Sequence, residues 1–267
     1  MSPSLVYMKQ HPYILTIQDL KLWREIPILK GIDWKIQKGE HWVILGPNGS
    51  GKSTLLGALT GYVTPSSGEM TVLGQTYGQS DWRELRKKVG IVSTLIHSMI
   101  QPDETALKLV ISGKEAMINY WGKIPKKDLQ KARKILKLVK ASHLEDRTWI
   151  QLSQGERQRI LIGRALMADY KILILDEPCA GMDLVARDNF LKFLDSLLRR
   201  KNFPTLILVT HHVEEISPLF KHILILKAGK VLASGKKKDT LTSTNLSKAF
   251  RHKIRLIKSS TKFIARL

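Results

Sequence analysis

Between residues 13 and 45, short apolar runs alternate with polar positions ("YILTIQDLKLW", "ILKGIDWKIQKGE", "HWVIL"), the pattern of β structure joined by tight turns. The pattern then switches. "GPNGSGKSTLLGALTG" passes from a glycine-rich turn into helical spacing, and "EMTVLG" and "VGIVS" are strand-like again. From about residue 101 to 169 the spacing is mostly helical; in "KKDLQKARKILKLVKA", Leu129, Ala132, Ile135, Leu136 and Val139 share one face with lysines opposite. Three short apolar runs follow, "KILIL", "TLILVT" and "HILILK", the first two separated by the helical "ARDNFLKFLDSLLRR". Strands alternating with helices predict an α/β fold with a mainly parallel, helix-covered sheet. An antiparallel β part precedes it and a helical subdomain is inserted at about 95–169. One domain is expected over 1–235, with 236–267 as a basic C-terminal extension.

The last segment, "LSKAFRHKIRLIKSS", puts Leu246, Phe250, Ile254 and Ile257 at helical spacing among basic residues. Packing on the domain, docking a partner and lying on a surface all fit that spacing. The chain carries a formal charge of +21, and from Lys221 onward 13 Lys/Arg face the single acid Asp239. Such an excess favours polyanions, namely nucleotide phosphates, RNA or anionic lipid headgroups, although a solvated basic face fits equally. No apolar run approaches the ~20 residues of a membrane span, and "MSPSLVYMKQHPY" lacks the build of a signal peptide. The lone Cys179 excludes an internal disulfide. These features predict a cytoplasmic protein.

Candidate chemistry sits where the pattern breaks. "GPNGSGKST" follows one predicted strand and opens a helix, as a phosphate-binding loop requires. Gly46, Gly49 and Gly51 let successive backbone N–H groups turn onto phosphate oxygens, with Pro47, Asn48, Ser50 and Thr54 completing the loop. Lys52 supplies a full charge to the β/γ-phosphates of ATP, and the Ser53 hydroxyl is placed to ligate Mg2+. In "KILILDEP" a buried strand ends on two adjacent acids, which demands a cation or a reaction nearby. Asp176 suits Mg2+ held opposite Ser53, and Glu177 suits orienting the attacking water. In "LSQGERQRILIGRALM", Ser153 and Gly155 stand at a helix start, a second anion site or an ordinary N-cap.

The order of "GPNGSGKST", "LSQGERQR", "ILILDEP", "AGMD" and "LVTHH" resembles the ATP-binding-cassette (ABC) ATPases over residues 13 to 235. The resemblance implies a head-to-tail dimer that sandwiches two ATPs, each held by one subunit's phosphate loop and by Ser153 and Gly155 of the other. It implies that Trp23 stacks on adenine (a strand-edge core tryptophan being the alternative). It places Asp183 in a loop at the dimer interface, and His211 between the γ-phosphate and Glu177. His212 is read as a surface residue, Cys179 and Met182 as local packing.

Two departures stand out. A glutamine expected after "VGIVS" is replaced by Thr94, which implies slower or differently gated hydrolysis. The signature reads LSQGE where LSGGQ is usual, so Gln154 and Glu156 are substitutions. "EDRTWIQ" before it leans toward an importer-type or free-standing cassette. The expected function is the ATPase subunit of a transporter, peripheral at the inner face of the membrane, driving separate permease subunits. Ile96, Met99, Ile100, Met117 and Trp121 are either the groove for the permease or ordinary subdomain core. The competing reading is a soluble cassette protein acting on ribosomes or nucleic acid.

Overall fold

The structure is a computed structural model that describes residues 12–115, 118, 120, 122–168, 170–259 and 263–267, apart from the side chains of Arg83, Thr94 and Leu95. The chain begins with β1 (Tyr13–Trp23), β2 (Pro27–Gln37) and β3 (Trp42–Leu45), then α1 (Lys52–Leu59), β4 (Ser67–Val72), β5 (Gln75–Thr76), α2 (Trp82–Arg86) and β6 (Val89–Val92). The inserted block holds α3 (Thr94–His97), α4 (Ala106–Ser112), α5 (Lys126–Leu138) and α6 (Gln154–Met167). Then come β7 (Ile172–Asp176), α7 (Leu184–Leu198), β8 (Thr205–Thr210), β9 (His222–Lys227) and β10 (Lys230–Lys236). The end is α8 (Lys237–Thr240), α9 (Ser243–Phe250), β11 (Arg255–Lys258) and β12 (Phe263–Arg266).

Two sheets carry the fold. An antiparallel sheet has the order β2-β1-β4-β5, and a six-stranded sheet has the order β10-β9-β3-β8-β7-β6, in which only β10 runs antiparallel to its neighbour. Both faces of the larger sheet are covered, which is why its strands read as unbroken apolar runs rather than alternating ones. Val43, Leu45, Leu173, Leu175, Leu206 and Leu208 enter a core shared with α4–α7. Their neighbours Ile44, Ile172, Ile174, Ile207 and Val209 enter a second core, shared with α1 and the antiparallel sheet. The period of two thus feeds two cores from one set of strands.

The parallel strands β3, β7 and β8 end on the same edge. In-register pairing of Leu45 with Thr210, and of Asp176 with Val209, brings the residues following all three strands together. Ligands of open α/β sheets bind at that edge.

The C-terminal segment differs from its expected helix. Only Ser243–Phe250 is helical; Arg251 then turns into the left-handed region (φ 57°), and Arg255–Lys258 forms a hairpin with Phe263–Arg266. The Ser247 hydroxyl donates to the Ile254 carbonyl at 3.3 Å and accepts from the Ile254 N–H at 2.9 Å, folding the chain back on α9. Leu246, Ala249 and Ile254 are buried in the main core, so of the three readings packing on the domain describes this segment. Among the described residues no helix is long and apolar enough to cross a membrane. Residues 1–11, Met117 and Trp121 lie outside the described set, and with them the expectations placed there.

Candidate nucleotide site

The loop between β3 and α1 is held from below. Gly46 is buried, and a Cβ on it would overlap the Leu226 carbonyl oxygen of β9 and press on the Ser50 hydroxyl, so only glycine lets the loop lie this close to the sheet. The β9–β10 turn braces the far side: the Gly229 N–H donates to the Ser50 carbonyl (3.1 Å), and the Lys30 N–H donates to the Gly229 carbonyl (2.8 Å). The Gly229 brace was not read from the sequence, although "KAGK" between two strands marks a tight turn. Gly51, at φ 102°, caps α1. Asn48, Gly49 and Ser53 are exposed, Pro47 and Thr54 half-buried, and Ser50 buried with its hydroxyl unpartnered.

Lys52 is 6% exposed, and its ammonium donates to the carbonyls of Gly46 (2.9 Å) and Pro47 (3.2 Å) inside the loop it serves. It lies 3.9 Å from Glu177 Oε1, and His211 Nδ1 lies 3.0 Å from the same oxygen. Burial pulls the Lys52 pKa down, opposed by the charges of Glu177 and Asp176. Burial pushes the Asp176 carboxyl up, the Glu177 charge adds to this, and Lys52 offsets part. Two acids and one desolvated cation therefore stand together, a donor set whose chemistry fits a metal-bound polyphosphate.

Glu177 reaches this position through an unusual backbone. Its φ of 47° is left-handed for a non-glycine residue, and its N–H is tied to the Val209 carbonyl at 2.9 Å. Such a conformation costs on the order of 1 kcal/mol or more and persists only where the surroundings enforce it. Cys179, next along, is buried, and burial raises its thiol pKa far enough to keep it protonated and inert. His212 is exposed, as expected, but its ring lies 4.0 Å from that of His211, and its N–H is held by the Thr210 hydroxyl at 3.0 Å.

That hydroxyl leads to a residue the sequence reading missed. Thr210 Oγ1 donates to Glu215 Oε2 at 2.6 Å, and Glu215 is 3% exposed, its pKa raised by burial despite this hydrogen bond. Glu215, Cys179, Arg187, His211 and Glu177 line one cavity of about 160 Å³. The signal was the second acid in "THHVEE", unreadable without knowing that it turns inward.

The remaining expected residues stand on other surfaces. Trp23, at the end of β1, is 48% exposed. Ser153 is exposed and caps α6 in a capping box with Glu156. Gly155 has open space where a Cβ would stand. Asp183 caps α7 by accepting from the Val185 and Ala186 N–H groups, each at 2.8 Å, and beside it Leu184 and Val185 are 75% and 71% exposed. Thr94 opens α3 directly after β6 and Ser93; its side chain is outside the described set.

A protein-family model described as "ABC transporter" matches residues 29–180. The chain belongs to this family. An ABC transporter ATP-binding protein of Bacillus subtilis, YlmA, whose own role is uncharacterized, is 43% identical over 224 residues, 84% of this chain and 85% of that protein. Among solved structures, cbiO1 of Clostridium perfringens, part of the ABC transporter complex cbiONQ, superposes with a TM-score of 0.76 at 29% identity, covering 89% of this chain and 94% of that one. The cassette MJ0796, solved as a dimer in a post-hydrolysis state with ADP and Pi, matches with a TM-score of 0.69 at 26% identity, over 83% of this chain and 98% of its own. The chain is thus an ABC transporter ATP-binding subunit, a cassette whose family activity is ATP hydrolysis, and the α/β fold expected from the sequence, with its mainly parallel sheet and antiparallel β part, is the P-loop NTPase fold of these cassettes.

Proposed function

We propose that this cassette hydrolyses Mg·ATP between two copies of itself and passes the closing motion to separate permease subunits at the cytoplasmic face of a membrane. The observation that carries the reading is the convergence on Glu177 Oε1 of Lys52 at 3.9 Å and His211 at 3.0 Å, at the strand end that also bears Asp176. Mg2+, when bound, would supply positive charge to offset the negative charge that develops on the phosphates. Ser53 and Asp176 are the residues to hold it, one exposed and one half-buried at the same sheet edge. Lys52 draws the β/γ-phosphates into the loop, and its exchange of two backbone carbonyls for phosphate oxygens releases the loop to close on them. Glu177 orients the attacking water and takes its proton, and the His211 hydrogen bond fixes the carboxylate's direction.

The second half of each site comes from the partner. Ser153 is exposed at the tip of α6 and Gly155 is half-buried with open space at its Cβ position, and Ile150, Leu184 and Val185 leave apolar surface open near the signature and the Asp183 turn. Trp23 offers an exposed ring for adenine. In the helical block Met99 is 60% exposed and Ile96 half-buried, whereas Ile100 is 5% exposed and belongs to the core, so the permease contact is narrower than the sequence cluster. The cbiO1 structure, described as part of a transporter complex, supports a permease partner. The ribosome or nucleic-acid reading rests on the basic C-terminal segment and on Thr94 in place of the glutamine, and the anionic-lipid reading on charge alone.

Glu177→Gln tests this. It keeps the shape of the side chain, removes the base and traps an ATP-dependent dimer. Gel filtration of this variant with and without Mg·ATP reads the outcome, and a monomer under both conditions defeats the sandwich.

A further inference from the structure

The signature helix presents its serine in an occupied state. Ser153 Oγ donates to Glu156 Oε2 at 2.8 Å, and the Ser153 N–H donates to the same oxygen at 2.8 Å. Ser153 Oγ in turn accepts from the Glu156 N–H at 3.4 Å. A serine hydroxyl has one proton, so a serine that donates to Glu156 has none for a phosphate. Burial alone would raise the Glu156 pKa, but the two Ser153 hydrogen bonds and the Arg147 charge outweigh it and hold the carboxyl below its ordinary value, so it is ionised at neutral pH. Hydrogen bonds to a charged acceptor are about twice as strong as neutral ones, so the carboxylate competes well for the hydroxyl.

We propose that Glu156 is a latch on the shared nucleotide site: its carboxylate holds the Ser153 hydroxyl in the free protomer and must release it before the partner's ATP can be gripped. This rests on the sandwich reading above and adds its regulation. Arg147 is placed to receive the released carboxylate. Its guanidinium lies 3.9 Å from Glu156 Oε1, the oxygen that Ser153 does not use, and its side chain is 54% exposed. Glu156 is a positioning residue, acting only through Ser153. In the common LSGGQ form a neutral glutamine at this place offers the same capping geometry without the charge. The substitution at Glu156 therefore makes ATP-driven closure of this cassette more demanding while leaving the helix cap intact.

The test uses the full chain in the Glu177→Gln background, with light scattering during an ATP titration to read the concentration giving half-maximal dimer. Glu156→Gln should lower that concentration about tenfold, equivalent to ~1.4 kcal/mol. Its melting temperature should fall by only a few degrees, because Gln still serves a capping box, with weaker neutral hydrogen bonds. Arg147→Met, which deprives the carboxylate of its second partner, should raise the concentration. Ser153→Ala should raise it as well, and adding Glu156→Gln to Ser153→Ala should then shift nothing. An unchanged or higher midpoint for Glu156→Gln overturns the latch, as does an equal shift with and without the serine hydroxyl. Absence of any ATP-dependent dimer in Glu177→Gln alone is a different failure: it removes the sandwich, and the latch with it.

Discussion

Gly155→Ala separates what the protomer needs from what the dimer needs. Gly155 is the second residue of α6, has no positive φ, and meets nothing within 4 Å of where a Cβ would stand. Nothing in the folded protomer therefore calls for glycine there. By helix propensity, alanine should stabilise the protomer by about 0.5–1 kcal/mol, raising the melting temperature by ~1–4 °C for a chain of this size. If the open space is reserved for the partner's nucleotide, the added methyl must be forced into a tight contact at ~1–3 kcal/mol. Dimerisation, followed by light scattering in the Glu177→Gln background, should then require about ten- to hundredfold more ATP. A more stable protein with weaker pairing is the expected signature, and no folding defect produces it. Wild-type ATP dependence in a stabilised Gly155→Ala protein would refute the placement of the helix tip against nucleotide.

Lys52→Ala should abolish ATP binding, measured by calorimetry, because it removes both the buried cation and the donor held at the Gly46 and Pro47 carbonyls. Asp176→Asn should weaken Mg·ATP binding yet stabilise the nucleotide-free protein. The native carboxyl titrates above its ordinary 3.8, so the folded state binds more protons and stability falls as pH rises through that window; melting curves of variant and wild type should diverge between pH 4 and pH 8. An equal difference at both pH values would contradict this. Glu215→Ala should lower kcat through the Thr210–His212 hydrogen bonds behind His211 and leave ATP binding near wild type; Glu215→Gln, which still accepts from Thr210, should recover most of the rate. Thr94→Gln should speed steady-state hydrolysis if the threonine is a weak substitute, and an unaltered rate would show that this position is not catalytic.

Most of the candidate site was legible because its sequence features are local. A glycine turn between a strand and a helix, a strand ending in two acids and a serine opening a helix each occupy a few consecutive residues, and each stands where the sequence places it. The strand and helix periods were legible for the same reason, apart from the C-terminal segment. There, helical spacing continued past Arg251, but the chain turns, held by two hydrogen bonds between the Ser247 hydroxyl and the Ile254 backbone, and continues into a hairpin.

Up to the C-terminal segment, sequence alone determined the order of elements, the glycine-rich turn between β3 and α1 and the two adjacent acids at the end of β7, since these follow from backbone conformation and residue chemistry over short spans. Only the tertiary structure decided that Lys52 and His211 meet on one oxygen of Glu177, that Leu226 and Gly229 underpin the loop, and that Glu215 is buried behind the histidines. Those contacts join residues far apart in the chain, most of them in segments that follow strands of one sheet, and their partners are chosen by register and burial, which no local pattern in the chain encodes.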